Sequence, residues 1–200
     1  MWYIVDRDSE GNELSRTTTS NYAAATFEKT GKVAPDVFGG FSTSVQYKQF
    51  DLNAMFGFAL GGKIYNYSRQ EYDSDGTYTD RNQMNLRPEW SRWETPGDIA
   101  THPVARYNNQ DKGNATSTRY LEEGDYLKLR SLTLGYNIDL KDSPFDDLRV
   151  SLAGENLFVI TDYSGVDPEI PANGGAVMGS TGPGVYPSTR KIMLGINVTF

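Results

Sequence analysis

The sequence of 200 residues contains no cysteine and a single histidine, His102. The absence of cysteine excludes disulfide bonds and thiolate metal sites within these residues. One histidine leaves no partner for a two-histidine metal site. Acidic residues outnumber basic ones, 26 against 19, giving a net charge of −7. Without a basic stripe to neutralise phosphates, a nucleic-acid partner is not expected.

Long apolar runs are also missing, because nothing in the sequence approaches the roughly 18 residues of a membrane helix. The mean hydropathy is negative, as in a soluble protein. That measure does not detect membrane barrels, because only alternate residues of their strands are apolar. An aromatic content of 12% together with 20 glycines suits a barrel with aromatic residues at the membrane interfaces.

The clearest pattern lies in the last strand, residues 190–200, which alternates apolar and polar residues up to the final Phe200. About ten residues with one apolar face is the length that crosses a bilayer in a tilted barrel. This terminal strand could serve as the recognition signal for barrel assembly, or simply place the ring of Phe200 in the aromatic girdle, and the two roles are compatible. Its apolar face consists of Ile192, Leu194, Ile196, Val198 and Phe200.

Four earlier strands are predicted from the same alternation, at about 41–47, 50–60, 120–138 and 148–160. The apolar phase of the third strand changes near Arg130, which predicts either a β-bulge or an exit from the bilayer there. The connections alternate in length: short turns near Lys48 and Ser143, and long loops at 61–117 and 161–188. Outer-membrane barrels have short periplasmic turns and long extracellular loops. The pattern therefore predicts an all-β antiparallel meander of about five transmembrane strands, with Phe200 at the periplasmic end.

Several motifs, each weak alone, occur in a fixed order between residues 40 and 200. In these motifs the chain resembles the C-terminal part of SusC-like (SusC/RagA) TonB-dependent outer-membrane transporters. The motifs are Pro35-Asp36-Val37-Phe38-Gly39-Gly40-Phe41, Phe50-Asp51-Leu52, Gly61-Gly62-Lys63-Ile64-Tyr65, the segment 120–136, Gly154-Glu155-Asn156-Leu157-Phe158, the segment 161–169, and Tyr186-Pro187.

The resemblance implies a nutrient importer of the Gram-negative outer membrane whose complete barrel has 22 strands around a plug. It also implies a SusD-like surface lipoprotein as partner, energy from the TonB complex, and an oligosaccharide or peptide as substrate. A plug and a TonB-binding segment are not found in these residues, so we interpret the chain as a fragment. We expect residues 1–37 to be an extracellular loop or strand remnant, and residues 38–200 to be barrel strands and loops embedded in outer-membrane lipid.

Neither an enzyme nor a cofactor site is predicted. The segment Asp6–Asn12 resembles a calcium loop, but position twelve of that pattern is Thr17 rather than glutamate, so a surface turn is favoured. The lumen of a barrel tolerates charge, and four cations are candidates to face it: Lys128, Arg130, Arg149 and Lys191. Loop aromatics could stack on sugar rings or contact a partner, and the candidates are Tyr65, Tyr67, Trp90, Trp93 and Tyr163.

Two alternatives stay open at this stage. A soluble β-sandwich that binds carbohydrate through loop aromatics would also show alternation, but its outward residues should be polar. A short chain that builds an outer-membrane barrel from several copies would share the apolar face.

Overall fold

The computed structural model describes residues 2–80, 82–110, 112–140, 144–169, 180–181 and 186–200. By its backbone contacts the chain divides into two compact units: residues 1–31 with 66–120, and residues 32–65 with 121–200. The division into 1–37 and 38–200 suggested by the sequence stays a prediction. Among the described residues, no helix has both the length and the apolar character needed to cross a membrane.

In chain order the elements are β1 (Trp2–Arg7), β2 (Glu13–Thr19), β3 (Val37–Tyr47), β4 (Phe50–Leu60), β5 (Lys63–Asn66), α1 (Tyr67–Asp73), β6 (Leu121–Glu123), β7 (Tyr126–Ile138), β8 (Asp147–Thr161), β9 (Ser180–Thr181) and β10 (Lys191–Thr199). Short 3-10 helices lie at Tyr22–Ala24, Tyr107–Asn109 and Thr118–Tyr120.

In the first unit, β1 and β2 form an antiparallel hairpin where the sequence suggested only a loop or a strand remnant. The turn between them closes on Asp8, whose carboxylate accepts hydrogen bonds from the backbone N–H groups of Glu10 at 2.9 Å and Asn12 at 2.8 Å. Gly11 has a φ of 89°, a conformation that glycine adopts without a steric cost. The segment with acids at alternate positions is therefore a surface turn, as predicted.

In the second unit, the long strands form a five-stranded antiparallel sheet in the order β10-β8-β7-β4-β3. Each long strand pairs with the next one along the chain, so the predicted meander is confirmed. The hairpin of β3 and β4 turns at Lys48, which has a φ of 54°. At the other predicted short turn, Ser143 lies outside the described residues. A separate small sheet has the order β6-β5-β9.

The register of the sheet aligns the apolar positions of all five long strands on one face. One cross-strand row, for example, joins Leu194, Leu152, Leu134, Leu52 and Val45. Many of these side chains are exposed, since nothing in the described sheet covers this face; Leu194 is 72% and Ile192 70% exposed. The opposite face carries mainly polar and small side chains, and its larger apolar ones are Phe38, Met55, Val159 and Met193. The sheet is thus two-sided, as the alternation predicts.

Irregular pairing near Arg130 confirms the predicted bulge. The register of β7 against both neighbours shifts between Leu129 and Ser131. On β8 two residues, Asn156 and Leu157, lie opposite Arg130, and Asn156 has a φ of 51°. Against β4, Arg130 is the unmatched residue between Leu129 and Ser131 and reverses the phase of β7, so Leu129 lies on the same face as the apolar residues further along β7.

The third predicted strand, about 120–138, is divided in the structure. Residues Leu121–Glu123 leave the large sheet and pair with β5, while Tyr126–Ile138 form β7. At the break the N–H of Gly124 donates to the carbonyl of Gly62 at 2.8 Å. A methyl group on Gly124 would lie 2.9 Å from Ile64, so the close approach favours glycine here.

Candidate functional site

The polar face of the large sheet is joined across three strands by an ion pair. Arg149 of β8 donates to Asp51 of β4 through two nitrogens, at 2.5 and 2.8 Å, and to the side-chain oxygen of Asn137 at 3.0 Å. The strand between them, β7, contributes Gly135 at this position, and a Cβ there would lie 2.1 Å from the guanidinium. The pair therefore spans β7 because that strand has no side chain at the crossing.

A second ionic centre surrounds Lys128 of β7, which is only 3% exposed. Its ammonium donates to Asp167 Oδ2 at 3.0 Å, Glu169 Oε2 at 2.9 Å and Ser188 Oγ at 3.0 Å. A lysine ammonium has three donors, so these contacts use all of them. Buried charges are tolerated when they are paired in this way.

Arg130 adds a cation to the same centre by donating to Glu169. Its side chain lies over Gly57 of β4, where a Cβ would be 2.3 Å from Nε. Burial opposes ionisation of Asp167, but the Glu169 N–H and the Lys128 ammonium outweigh it and hold the pKa of the Asp167 carboxyl below its usual range.

The edge strand β10 contributes a more exposed pair, Lys191 with Glu155 of β8 at 3.1 Å. All four cations predicted to face a lumen are therefore in ion pairs with neighbouring strands or with the last loop. These ion pairs fix the local pairing of neighbouring strands and of the last loop.

The first unit holds its own buried charge cluster, which the sequence did not suggest. Asp73 and Asp75, at the end of α1, are 0% and 1% exposed. Arg92 donates to Asp75 Oδ1 at 2.6 Å, and Arg119 also donates to Asp75. Arg69 donates to Asp73 Oδ2 at 3.1 Å.

His102 completes this cluster. It is 2% exposed, and its Nε2 lies 2.9 Å from Asp73 Oδ2. Burial raises the pKa of Asp73, but the hydrogen bond and charge of His102 and the charge of Arg69 outweigh that effect, so the pKa lies below its usual range. Within the described ranges, no group of three or more His, Asp or Glu side chains is arranged to hold a metal ion.

The backbone that follows α1 adopts the uncommon left-handed conformation at the cluster. Ser74, Asp75 and Gly76 have consecutive positive φ values of 40°, 47° and 86°. A Cβ on Gly76 would lie 2.2 Å from the carbonyl oxygen of Arg106, so only glycine fits. The turn allows both acids to be buried within three residues of each other.

The predicted ligand-contacting aromatics are distributed over both units. In the first, Trp90 is partly buried: Arg69 lies 4.4 Å and Arg87 5.0 Å from its ring centre, and its ring centre is 5.0 Å from that of His102. Trp93 is also partly buried, and its backbone N–H donates to the His102 carbonyl at 2.9 Å. The ring of Trp90 therefore packs within the loop, and contact of either tryptophan with a ligand stays a prediction.

The tyrosines differ in exposure. Tyr67 is 44% exposed at the start of α1. Tyr65 is partly buried in β5, and Tyr163 is 5% exposed. The ring of Tyr163 covers Gly165, where a Cβ would approach it to 2.3 Å. Of the five aromatics, Tyr163 offers the least surface for a ligand and fits a packing role.

The predicted terminal strand is β10, and its apolar residues extend the apolar face to the sheet edge. Ile196 is 63%, Val198 40% and Phe200 84% exposed. The ring of Phe200 makes an edge contact with Phe145, with ring centres 5.3 Å apart. Apart from β8, β10 has no neighbour among the described strands.

Comparisons with known proteins find relatives that are named TonB-dependent receptors. The chain is 30% identical over 200 residues to TonB-dependent receptor P3 of Formosa agariphila, covering 95% of this chain and 19% of that protein. It is 25% identical over 173 residues to TonB-dependent receptor SusC of Bacteroides thetaiotaomicron, covering 84% and 16%. No family model matches the chain.

Among solved structures, the RagAB peptide importer in its closed-closed state matches with a TM-score of 0.68 and 22% identity, over 100% of this chain and 22% of that one. The chain thus spans about a fifth of the length of the relatives it matches.

Proposed function

Because the chain is related to SusC-like TonB-dependent receptors in sequence and has the fold of a fragment of their barrel, we propose that it forms part of the wall of an outer-membrane nutrient importer. The relatives are named as receptors and transporters rather than enzymes, and the apolar face of the sheet would contact lipid. The polar face would line the lumen, and the edges β3 and β10 would pair with strands beyond these residues to complete a 22-stranded barrel.

The observation that carries the proposal is the exposed apolar face of the large sheet. At about 25 cal/mol per Å² of apolar surface, leaving such a face in water is costly, whereas lipid accepts it. The ionic groups all lie on the opposite face, where they avoid the roughly 2–4 kcal/mol that a cation costs at the lipid-facing midplane. A soluble sandwich would instead cover the apolar face with a second sheet.

Aromatic residues flank the apolar face at both ends. At the short-turn end they are Tyr47, Phe50, Tyr136 and Phe200, and at the loop end Phe41, Phe56, Phe58 and Phe158. Strand β4, Phe50–Leu60, rises about 33 Å along its own axis, which is about 25 Å along the membrane normal at a tilt of about 40°. Membrane barrels have an apolar band about 25 Å tall between two aromatic girdles, so this length supports a membrane-spanning sheet.

The proposed orientation follows from the loops. Phe200 lies at the end of the sheet with the short turns, which would be periplasmic, and the long loops would be extracellular. Partners of the complete importer would be a SusD-like surface lipoprotein above the loops, a plug in the lumen and the TonB complex. The cargo would be an oligosaccharide or, as in the solved RagAB importer, a peptide.

A pair of neighbouring single-cysteine variants tests the sidedness, since the chain has no cysteine of its own. Ile196→Cys places a thiol on the apolar face of β10 and Asn197→Cys places one on the polar face. In lipid bilayers, a fluorophore at 196 should be quenched by brominated acyl chains, and one at 197 should be quenched by iodide in the aqueous phase.

Equal quenching of both positions by iodide, in a folded and monodisperse protein that needs no detergent, would contradict the proposal. It would favour the soluble binding module. The two variants differ by one residue in the same strand, so each is the matched control of the other.

A further inference from the structure

The first residues of the last long loop fold back onto the polar face of the sheet. We call residues 162–169 the return segment. β7 and β8 pair up to Tyr126 and Thr161 at the loop end of the sheet. Lys128, which holds Asp167 and Glu169, lies two residues further into the sheet, opposite Val159. At about 3.4 Å per residue, the return segment contacts a side chain whose backbone lies roughly 7 Å inside the loop end of the paired strands.

The beginning of the return segment is fixed independently of the lysine. Thr161 Oγ1 donates to the carbonyl of Asp125 at 2.6 Å. The backbone N–H and the hydroxyl of Ser164 donate to the two oxygens of the Glu122 carboxylate, each at 2.6 Å. Between these contacts, Tyr163 is buried. The segment is therefore held at its start by β6 and at its end by β7.

The contact at the end depends on buried charge. Asp167 is 6% and Lys128 3% exposed, so neither group can replace its partner with bulk water while the segment is in place. Removing one member of a buried pair leaves the other charge uncompensated, and this costs more than the pair itself contributes. Without the lysine, the favoured response is for the acidic end of the segment to move out to solvent.

We propose that the return segment is a strap that stays folded against the inner wall and narrows the passage at its loop end, and that Lys128 is its positioning residue. This inference rests on the function proposed above, since the inner wall and the passage are those of the importer barrel. The strap itself follows from the contacts of Lys128, Arg130, Asp167 and Glu169. Cargo entering from the loop side would meet the strap before it meets the rest of this stretch of wall.

Spin labelling of Val166 tests the strap, because this side chain is 65% exposed and lies next to Asp167. The label on Val166→Cys should give an immobilised spectrum in the detergent-solubilised protein. Adding Lys128→Met, which keeps an unbranched side chain of nearly the same length without its charge, should convert most of the spectrum to the mobile component. Lys128→Arg should keep the immobilised spectrum.

Lys191→Met is the matched control, because it removes a lysine from an ion pair on the same face that does not touch the return segment. It should leave the label immobilised. Should Lys128→Met fail to fold, Asp167→Asn gives the same test from the loop side. An immobilised label in every folded variant lacking Lys128 or the Asp167 charge would overturn the strap.

The same label separates this inference from the proposed function. In bilayers, a water-soluble nickel chelate should relax the label on Val166 more strongly than oxygen dissolved in lipid does. Preference for oxygen would place the segment on the lipid side and contradict the importer wall, even if the mobility results showed that Lys128 holds the segment.

Discussion

Adding a methyl group at Gly135 tests whether the ion pair across β7 requires an empty position. In Gly135→Ala, the new Cβ would lie 2.1 Å from a guanidinium nitrogen of Arg149 and 2.4 Å from Asp51 Oδ1. Contacts of this kind are normally near 3.5 Å, so the two side chains would have to separate by more than an ångström. Gly135 is buried in the sheet, which leaves little room for that movement.

The expected magnitude combines two opposing effects. Overpacking a filled site costs about 1–3 kcal/mol. Replacing glycine by alanine inside a strand returns about 0.5–1 kcal/mol. We therefore expect Gly135→Ala to lower the free energy of unfolding by about 1–2 kcal/mol. The matched control is Gly39→Ala in β3, where the new Cβ would lie 3.5 Å from Phe58, an ordinary contact, so its stability should be unchanged or slightly higher.

The assay is equilibrium unfolding by denaturant in detergent, with the midpoint compared at constant slope. In an Arg149→Met background, Gly135→Ala should lower the free energy of unfolding much less, because the guanidinium that the new methyl group displaces is absent. A coupling of about 1 kcal/mol or more is expected in this double-mutant cycle. If Gly135→Ala is neutral, or equally costly in both backgrounds, the ion pair does not explain the glycine.

Two further predictions concern the bulge on β8 and the buried cluster of the first unit. Because Asn156 has a φ of 51°, Asn156→Val should be less stable than Asn156→Gly by about 1–2 kcal/mol in denaturant unfolding, and equal stability would contradict a left-handed bulge. The pKa of Asp73 lies below its ordinary value of 3.8, so its ionisation stabilises the fold above that pH and this contribution is lost as the pH falls through the lower folded value. Acid titration of the tryptophan fluorescence should show the loss, and Asp73→Asn should weaken the dependence on pH; an unchanged titration curve in that variant would show that Asp73 is not responsible.

The strands of the large sheet could be predicted because their signal is local. Alternation in β4 and β10, and the change of phase at Arg130, are properties of short segments that hold wherever the partner strand lies. The tight turn at Lys48 leaves one plausible pairing for β3 and β4. The bulge position on β8 was missed, because the apolar positions of β8 keep the same phase on both sides of Asn156, from Leu152 to Phe158.

The contents of the long loop could not be predicted from the sequence. Asp73 and Asp75 lie in a polar stretch where acids are ordinarily solvated, and nothing near them in sequence indicates that they are buried. The partners of Asp75, Arg92 and Arg119, are 17 and 44 residues away. The possible signal was Gly76 directly after Asp75, because a glycine at that place indicates a turn with positive φ.

The order of residues was enough to predict the long strands of the large sheet, the apolar face of each and the alternation of short and long connections, because each depends on the residues within one segment. Which charges meet depends instead on the fold of several segments together. Arg149 and Asp51 are 98 residues apart, and Lys128 reaches Asp167 and Glu169 through a loop that folds back. These pairs require the register of three strands and the path of a loop together, and no single segment contains that information.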